Sequence, residues 1–540
     1  MKIQDTTEPH VNLTARHLPM SGTDDRPKWA VFLPAISSFY SSYVGRQRHE
    51  NYVDATRMPA AIPDMEQLNF LNDKNGLFHY KWGLYSAGHA NLDLSKFDPK
   101  EDMIRNRDPA TKIVADSGGF QIGKTVWEGD WKNPNDPKSS KKREEVLKWL
   151  DGISDYAMTL DIPTWIIENP LSHQKSGIST YQEAVDATIY NNEYFIKHRK
   201  GWQEGGTKFL NVLQGANHTE AEQWYQTMKK YCDPKQYPNR HFNGWAFGGQ
   251  NMCSVSLMLK RFVTLMDDNL LEEGIHDWIH VLGTSKLEWA IVLTELQNAV
   301  RKYHNPNLII SFDCASPFLA TANGQIYVTN EFKDRSKWTY RMAPSVDDKK
   351  YATDNRPFRD VMLQDEGFGL FDRSPISDRL KISDVCCYAP GALNKLGKEG
   401  KTSWDSFSYM LMMIHNVHRH IDAVQTANEL YESGLYPSML IDESFDRITL
   451  RDIVEQVFTV AKTAGKEAAY EVIEYYDRFF TRIIGTRGAT GKKETNASTY
   501  FGKLFEVVKT PEPVVTEEHH IDDSGLDETN LEKLEIGEDL

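Results

Sequence analysis

Six short apolar runs each end in a residue able to do chemistry. Lys112 to Ala115 runs into Asp116-Ser117-Gly118-Gly119-Phe120-Gln121, and Tyr156 to Leu160 runs into Asp161. Lys208 to Leu213 ends at Gln214, Gly244 to Phe247 at Gly248-Gly249, Trp278 to Leu282 at Gly283, and Leu308 to Phe312 at Asp313. In the first turn, two glycines let backbone approach a flat ligand while Asp116 and Ser117 offer an acceptor and a donor. A carboxylate can attack an electron-poor carbon and leave again, or move a proton, so Asp116 and Asp313 are candidates for nucleophile and acid/base. Each has a plainer reading. The DSGG turn could be structural, Asp161 before Ile162-Pro163 a turn or cap former, Gln214 a binder of loop backbone, and Asp313 the partner of a buried cation.

The elements that must carry these residues alternate in type. The apolar runs are short and rich in Val, Ile, Leu and aromatics, as strands buried on both faces of a parallel sheet are. Helical patterns lie between them: Thr180 to His198 and Thr219 to Tyr231, each opened by a Thr-x-x-Glu capping box, then Cys253 to Met266 and Ser285 to Lys302. A (β/α)8 TIM-type barrel gathers every carboxyl strand end on one rim, whereas an open sheet gathers only those near its switch point. A barrel is therefore expected over residues 28–330, preceded by an N-terminal segment at 1–27. The aromatic-rich stretches Lys28 to Phe39 and Gly76 to Ala90 should supply its first strand and an N-terminal cover. Residues 331–510 read as a mostly helical extension packed on the barrel, with one long helix over Thr402 to Leu430 and two more within Leu450 to Ile484. Residues 511–540 read as an acidic, disordered tail.

Composition agrees with a folded chain of 540 residues, 40% hydrophobic and 26% charged. No basic-plus-apolar leader and no membrane-length apolar run is seen, so a cytoplasmic protein is expected. The net charge of −15 comes largely from Glu512 to Leu540, which carries roughly ten negative charges. Basic clusters stand at Lys138 to Lys148, at Lys197 to Lys200, and at Arg482, Arg487, Lys492 and Lys493; each is either a solvated face or a phosphate contact. The five cysteines, Cys232, Cys253, Cys314, Cys386 and Cys387, include no CxxC pair. That argues against a disulfide framework and a zinc subdomain.

The motifs together resemble the tRNA-guanine transglycosylase superfamily. DSGGFQ, the segment Asp155 to Asp161, Leu213-Gln214-Gly215, Phe247-Gly248-Gly249, His280 to Gly283, and Phe312-Asp313-Cys314 with Pro317 occur in the family's order over roughly Ile113 to Pro317. The resemblance implies that Asp313 is the nucleophile and Asp116 the proton acceptor. It implies a base pocket made by Ser117, Gly118, Gly119, Phe120, Asp161, Gln214, Gly248 and Gly249. The chemistry asks for the same types: a purine leaving C1′ with retention needs one attacking carboxylate and one proton carrier. Asp161 suits the N1–H and 2-amino donors of guanine, while Gln214 and the N–H groups of Gly248 and Gly249 suit O6.

Two family features are missing, the zinc-binding C-x-C-x2-C and the Thr-Arg after the nucleophile-loop proline; Phe318-Leu319 follows Pro317 instead. Met412 to Asn416 still resembles the family's following helix. With Phe32 to Tyr40, these departures resemble the DNA-directed branch found in bacteriophages and bacterial genomic islands (DpdA). That resemblance implies exchange of guanine in DNA for a 7-deazaguanine such as preQ0, in the host cytoplasm if phage-encoded. It implies no metal or cofactor, no membrane, and additional modification proteins as partners. The same reaction on tRNA, a non-catalytic partner subunit, and a glycosidase that only removes a base are the alternatives.

Overall fold

The computed structural model describes residues 11–19, 25–201, 206–336, 338–365, 371–388, 393, 403–442 and 447–483. The acidic tail and the cluster at Arg487, Lys492 and Lys493 lie outside them. Eight parallel strands form one sheet: β1 (Val31–Pro34), β2 (Trp82–Ser86), β3 (Lys112–Asp116), β4 (Tyr156–Met158), β5 (Lys208–Leu213), β6 (Gly244–Phe247), β7 (Trp278–Val281) and β8 (Ile309–Cys314). Neighbours follow chain order from β2 to β8, and β8 pairs with β1, Phe312 opposite Phe32. Between β1 and β2 the sheet is closed by a single parallel bridge, Ala35 to Leu84, with the Ile36 N–H donating to the Leu84 carbonyl at 2.9 Å. The result is a nearly closed α/β barrel.

Each strand but the last leads into a helix of the outer ring. These are α1 (Ser38–Glu50), α2 (Pro99–Arg105), α4 (Pro137–Ile153), α6 (Tyr181–His198), α7 (His218–Met228), α8 (Val255–Asp267) and α9 (Leu287–Tyr303), with short α3 (Gly119–Gly123) and α5 (Pro170–Ser176) inserted at the rim. Thr180 and Glu183 form the expected capping box of α6. The box expected at Thr219 does not form. Asn217 caps α7 instead, accepting from the Glu220 N–H at 3.0 Å, because an Asn two residues earlier starts the helix sooner.

Two strand readings differ from the pattern. The run from Tyr156 leaves the ladder at Met158, two residues early, because the Thr159 hydroxyl takes over as acceptor for the Val212 N–H at 3.2 Å. In the N-terminal region, Lys28 to Phe39 and Gly76 to Ala90 each contribute a barrel strand, β1 and β2, where only one was expected. Helix α1 and residues 51–81 separate them, and a two-residue strand at Phe78–His79 pairs with Val11–Asn12 outside the barrel.

After β8 only a seven-residue helix, α10 (Ser316–Ala322), follows directly. A hairpin, β9 (Gln325–Glu331) with β10 (Thr339–Pro344), then leads toward α11 (Ser406–Glu432). Helix α11 packs on α9 and α10, and His420 stacks on Phe32 of β1 with ring centroids 4.2 Å apart. A distant segment thus covers the seam between β8 and β1, where α10 is too short to do so. Helices α12 (Leu450–Ala464) and α13 (Lys466–Tyr475) pack on α9 and α8, and a third short helix at Asp477–Phe480 completes the region where two were expected. Among the described residues no helix is long and apolar enough to cross a membrane.

Candidate active site

Tyr156 on β4 and Trp278 on β7 are not neighbours in the sheet, yet their ring centroids lie 4.2 Å apart. Both side chains must therefore fill the barrel interior. Because side chains alternate along a strand, His280 shares the inner face with Trp278, and so do Ser311 and Asp313 on β8. These four make a hydrogen-bonded column toward the carboxyl rim. The Trp278 indole N–H donates to Ser311 Oγ at 2.8 Å, Ser311 Oγ lies 2.9 Å from His280 Nδ1, and His280 Nε2 lies 3.1 Å from Asp313 Oδ1.

An indole N–H can only donate, so Ser311 Oγ accepts there and turns its own hydrogen to His280 Nδ1. That leaves the ring proton on Nε2, donated to Asp313. The Gly283 N–H also donates to Oδ1, at 3.0 Å. Two donors thus hold one carboxylate oxygen, while Oδ2 accepts no hydrogen bond among the described residues. The Asp313 side chain keeps 14% of its surface open.

Asp116, at the end of β3, accepts from Ser86 Oγ at 2.7 Å and from the Gly118 N–H at 3.3 Å, both on Oδ2. Burial pushes its carboxyl above the usual range; these hydrogen bonds oppose the rise and the Asp313 charge adds to it. Asp161 is buried and its carboxyl is pushed up to about 7, first by burial and then by the Asp116 charge, against a lowering hydrogen bond from Gln214. Gln214 Nε2 donates to Asp161 Oδ2 at 2.8 Å. The three carboxylates are close enough for Asp116 to feel Asp313 and for Asp161 to feel Asp116.

The glycines line this space. A Cβ on Gly119 would sit 2.7 Å from the Asp161 carbonyl oxygen, and one on Gly248 would sit 2.9 Å from Gln214 Nε2. Gly118 has φ +82°, and a Cβ there would lie 2.4 Å from the Trp127 ring. The barrel therefore brings Asp116, Ser117, Gly118, Gly119, Asp161, Gln214, Gly248, Gly249 and Asp313 onto one rim, although they span some 200 positions. Orphaned polar atoms mark the same rim: Ser117 Oγ, both amide atoms of Gln250, Asn251 Oδ1 and Thr284 Oγ1 are buried without a hydrogen-bond partner. Such groups are costly unless a ligand or water meets them.

One expected role changes. The Gly248 N–H donates to the Leu213 carbonyl at 2.9 Å and is not available to a ligand, which leaves the Gly249 N–H as the backbone donor of that pair. Phe120, at the same rim, is 42% exposed, with its ring 5.5 Å from that of Trp165. Sequence reasoning assigned no role to Ser86, Ser311, Trp278 or His280. A usable signal existed for the last, since a histidine inside Trp278-Ile279-His280-Val281 must find a partner when buried.

His415 of α11 stands where the sequence resembles a helix that follows a zinc site. Its Nδ1 lies 2.7 Å from Ser374 Oγ and its Nε2 2.9 Å from the Tyr327 carbonyl, with the ring stacked on Phe371. Both ring nitrogens are committed to protein partners. The next residue, Asn416, donates to the Pro317 carbonyl at 3.1 Å and to Thr321 Oγ1 at 2.9 Å, tying α11 to the loop after Asp313. Among the described residues no group of three His, Cys, Asp or Glu could hold a metal ion. A cavity of about 510 Å³ lies away from the rim, lined by Arg16, Arg373, Arg379 and Arg419. Arg16 and Arg419 pair with Asp422, and Arg373 with Asp378, while Arg379 donates to the Pro375 carbonyl at 2.7 Å. No family model matches the chain, and no curated protein matches it.

Proposed function

We propose that this chain is a DNA-guanine transglycosylase that replaces guanine in DNA with a 7-deazaguanine base, such as preQ0, through a covalent glycosyl-Asp313 intermediate. The observation that carries the reading is the pairing of two carboxylates with opposite surroundings on one rim. Asp313 has one oxygen anchored by His280 and Gly283 and the other free, while Asp116 is pushed toward holding a proton. Such a difference separates a nucleophile from an acid/base.

In the first step Asp313 Oδ2 bonds to C1′ as the C1′–N9 bond breaks, and the departing guanine takes the proton held by Asp116. In the second, Asp116 accepts the N9 proton of the incoming base, N9 bonds to C1′, and the C1′–Oδ2 bond breaks. Two inversions give net retention, and no oxidant, reductant or metal is consumed. Asp161 Oδ1 accepts from N1–H and the 2-amino group, with Oδ2 fixed by Gln214; the Gly249 N–H and the second Gln214 amide hydrogen suit O6. Adenine reverses this donor pattern and would leave buried groups unpaired. The target nucleotide must leave its stack to reach the rim.

The test is incubation of the protein with radiolabelled guanine and either duplex DNA or tRNA. Label is expected in DNA, and incorporation only into tRNA would sink the DNA assignment. Asp313→Asn is expected to abolish both exchange and the covalent protein–DNA adduct on a denaturing gel; undiminished exchange would remove Asp313 as nucleophile.

A further inference from the structure

The rim beside Gly118 carries an apolar crest that the exchange chemistry does not use. Val126 is 65% exposed, Leu171 55% and Phe120 42%, in a chain whose large apolar residues are mostly buried. The three belong to one small assembly. The Val126 N–H donates to the Gln121 carbonyl of α3 at 2.9 Å, and α5, which bears Leu171, is tied to α3 by Ser172 Oγ donating to the Gly123 carbonyl at 2.5 Å. Trp127, next to Val126, packs directly against Gly118, so Val126 stands one residue from the wall of the site.

The backbone there is unusual. Thr125 has φ +65°, a left-handed conformation that costs a β-branched residue energy, and the tight turn it makes leaves Val126 in water. Lysines surround this tip. Lys124 Nζ lies 5.3 Å from the Phe120 ring centroid, Lys142 Nζ lies 5.3 Å from that of Trp127 and pairs with Glu145 at 3.1 Å, and Lys138 and Lys175 share the carboxylate of Glu128 at 3.2 and 2.5 Å. An apolar point among lysines that outnumber their carboxylate partners complements a polyanion whose apolar base faces become exposed where a base leaves the stack, which is duplex DNA around a flipped nucleotide.

We propose that Val126 is a wedge that enters the DNA stack where the target nucleotide has swung out, with Leu171 and Phe120 against the flanking bases and Lys124, Lys138, Lys142 and Lys175 near the phosphates. The proposal rests on the transglycosylase reading only for the choice of DNA as partner. It assigns to this crest the work of keeping the vacated position filled, so that the flipped nucleotide does not return before reaction.

The experiment uses the full chain and duplex DNA carrying 2-aminopurine beside a guanine. The protein is expected to raise 2-aminopurine fluorescence, and Val126→Ser to lose most of that rise. On the same duplex Val126→Ser should slow guanine exchange by about tenfold, yet change it less than about twofold when the target guanine faces an abasic site and is already loosened. Equal loss on both substrates, no loss on either, or no fluorescence rise with the unaltered protein would overturn the wedge. The fluorescence arm needs binding alone, so a protein that unstacks DNA without exchanging guanine would refute the transglycosylase reading and keep the wedge. Sedimentation with anionic vesicles in place of DNA binding would overturn it in favour of a membrane surface.

Discussion

Replacing His280 with phenylalanine keeps a planar ring in the barrel interior but removes the donor that holds Asp313 Oδ1 at 3.1 Å. A hydrogen bond to a charged group contributes about 1.5–3 kcal/mol net. If the bond does its work by orienting Oδ2 toward C1′, that energy appears in the barrier to attack, and each 1.36 kcal/mol is tenfold, so the step should slow by roughly 10- to 150-fold. The low end is favoured because the Gly283 N–H still holds the same oxygen at 3.0 Å. Two measurements separate this from a loss of folding. Single-turnover formation of the covalent adduct reads the attack, and binding of guanine reads the pocket, which His280 does not touch. Adduct formation should fall while guanine affinity stays within about twofold. Ser311→Ala is the companion variant: it leaves the His280–Asp313 contact but frees the tautomer and leaves the Trp278 N–H unpaired, so a smaller loss of rate with a lowered melting temperature is expected. Adduct formation by His280→Phe within about threefold of the unaltered protein, with a normal melting curve, would refute the positioning argument.

The carboxyl of Asp161, pushed up to about 7, must be ionised to accept from guanine, so guanine affinity should rise with pH through that value and Asp161→Asn should flatten the rise; titration calorimetry across the range checks both. The same shift has the opposite sign for stability. The unfolded chain ionises Asp161 near the usual carboxylate value of about 4, the folded chain only near 7, so this group lowers stability as pH rises between the two and Asp161→Asn should remove that slope in denaturant titrations. Gly118→Ala combines φ +82° with a Cβ 2.4 Å from the Trp127 ring; a loss of about 1–2 kcal/mol from the backbone alone, and more from displacing the ring, should appear in thermal melts together with loss of base binding.

How much of this was legible in the chain depends on whether the deciding contact is local. A buried strand followed by a polar residue is a local pattern, so the barrel strands from Lys112 to Phe312 and the rim residues Asp116, Asp161, Gln214 and Asp313 could be read directly. The cap of α6 at Thr180 is equally local. The end of β4 was not, because it depends on Thr159 receiving the Val212 N–H from a strand 53 positions away. Nor was the seat of α11 over β1, since nothing in Thr402 to Leu430 says that His420 meets Phe32. The Gly248 N–H looked available as part of a glycine pair, yet parallel pairing with β5 had already committed it to Leu213.

His280 shows where the boundary falls within the site itself. Its place in a buried apolar strand announces that it needs partners, but Ser311 and Asp313 lie 31 and 33 positions further on. Only the register of β7 on β8, with Ser311 opposite His280, puts the imidazole between them. What the strand-end pattern reveals is therefore which carboxylate stands on the rim. Which of its two oxygens lacks a protein donor follows from pairing between strands, and the proposed role of Asp313 as an oriented nucleophile rests on that distinction.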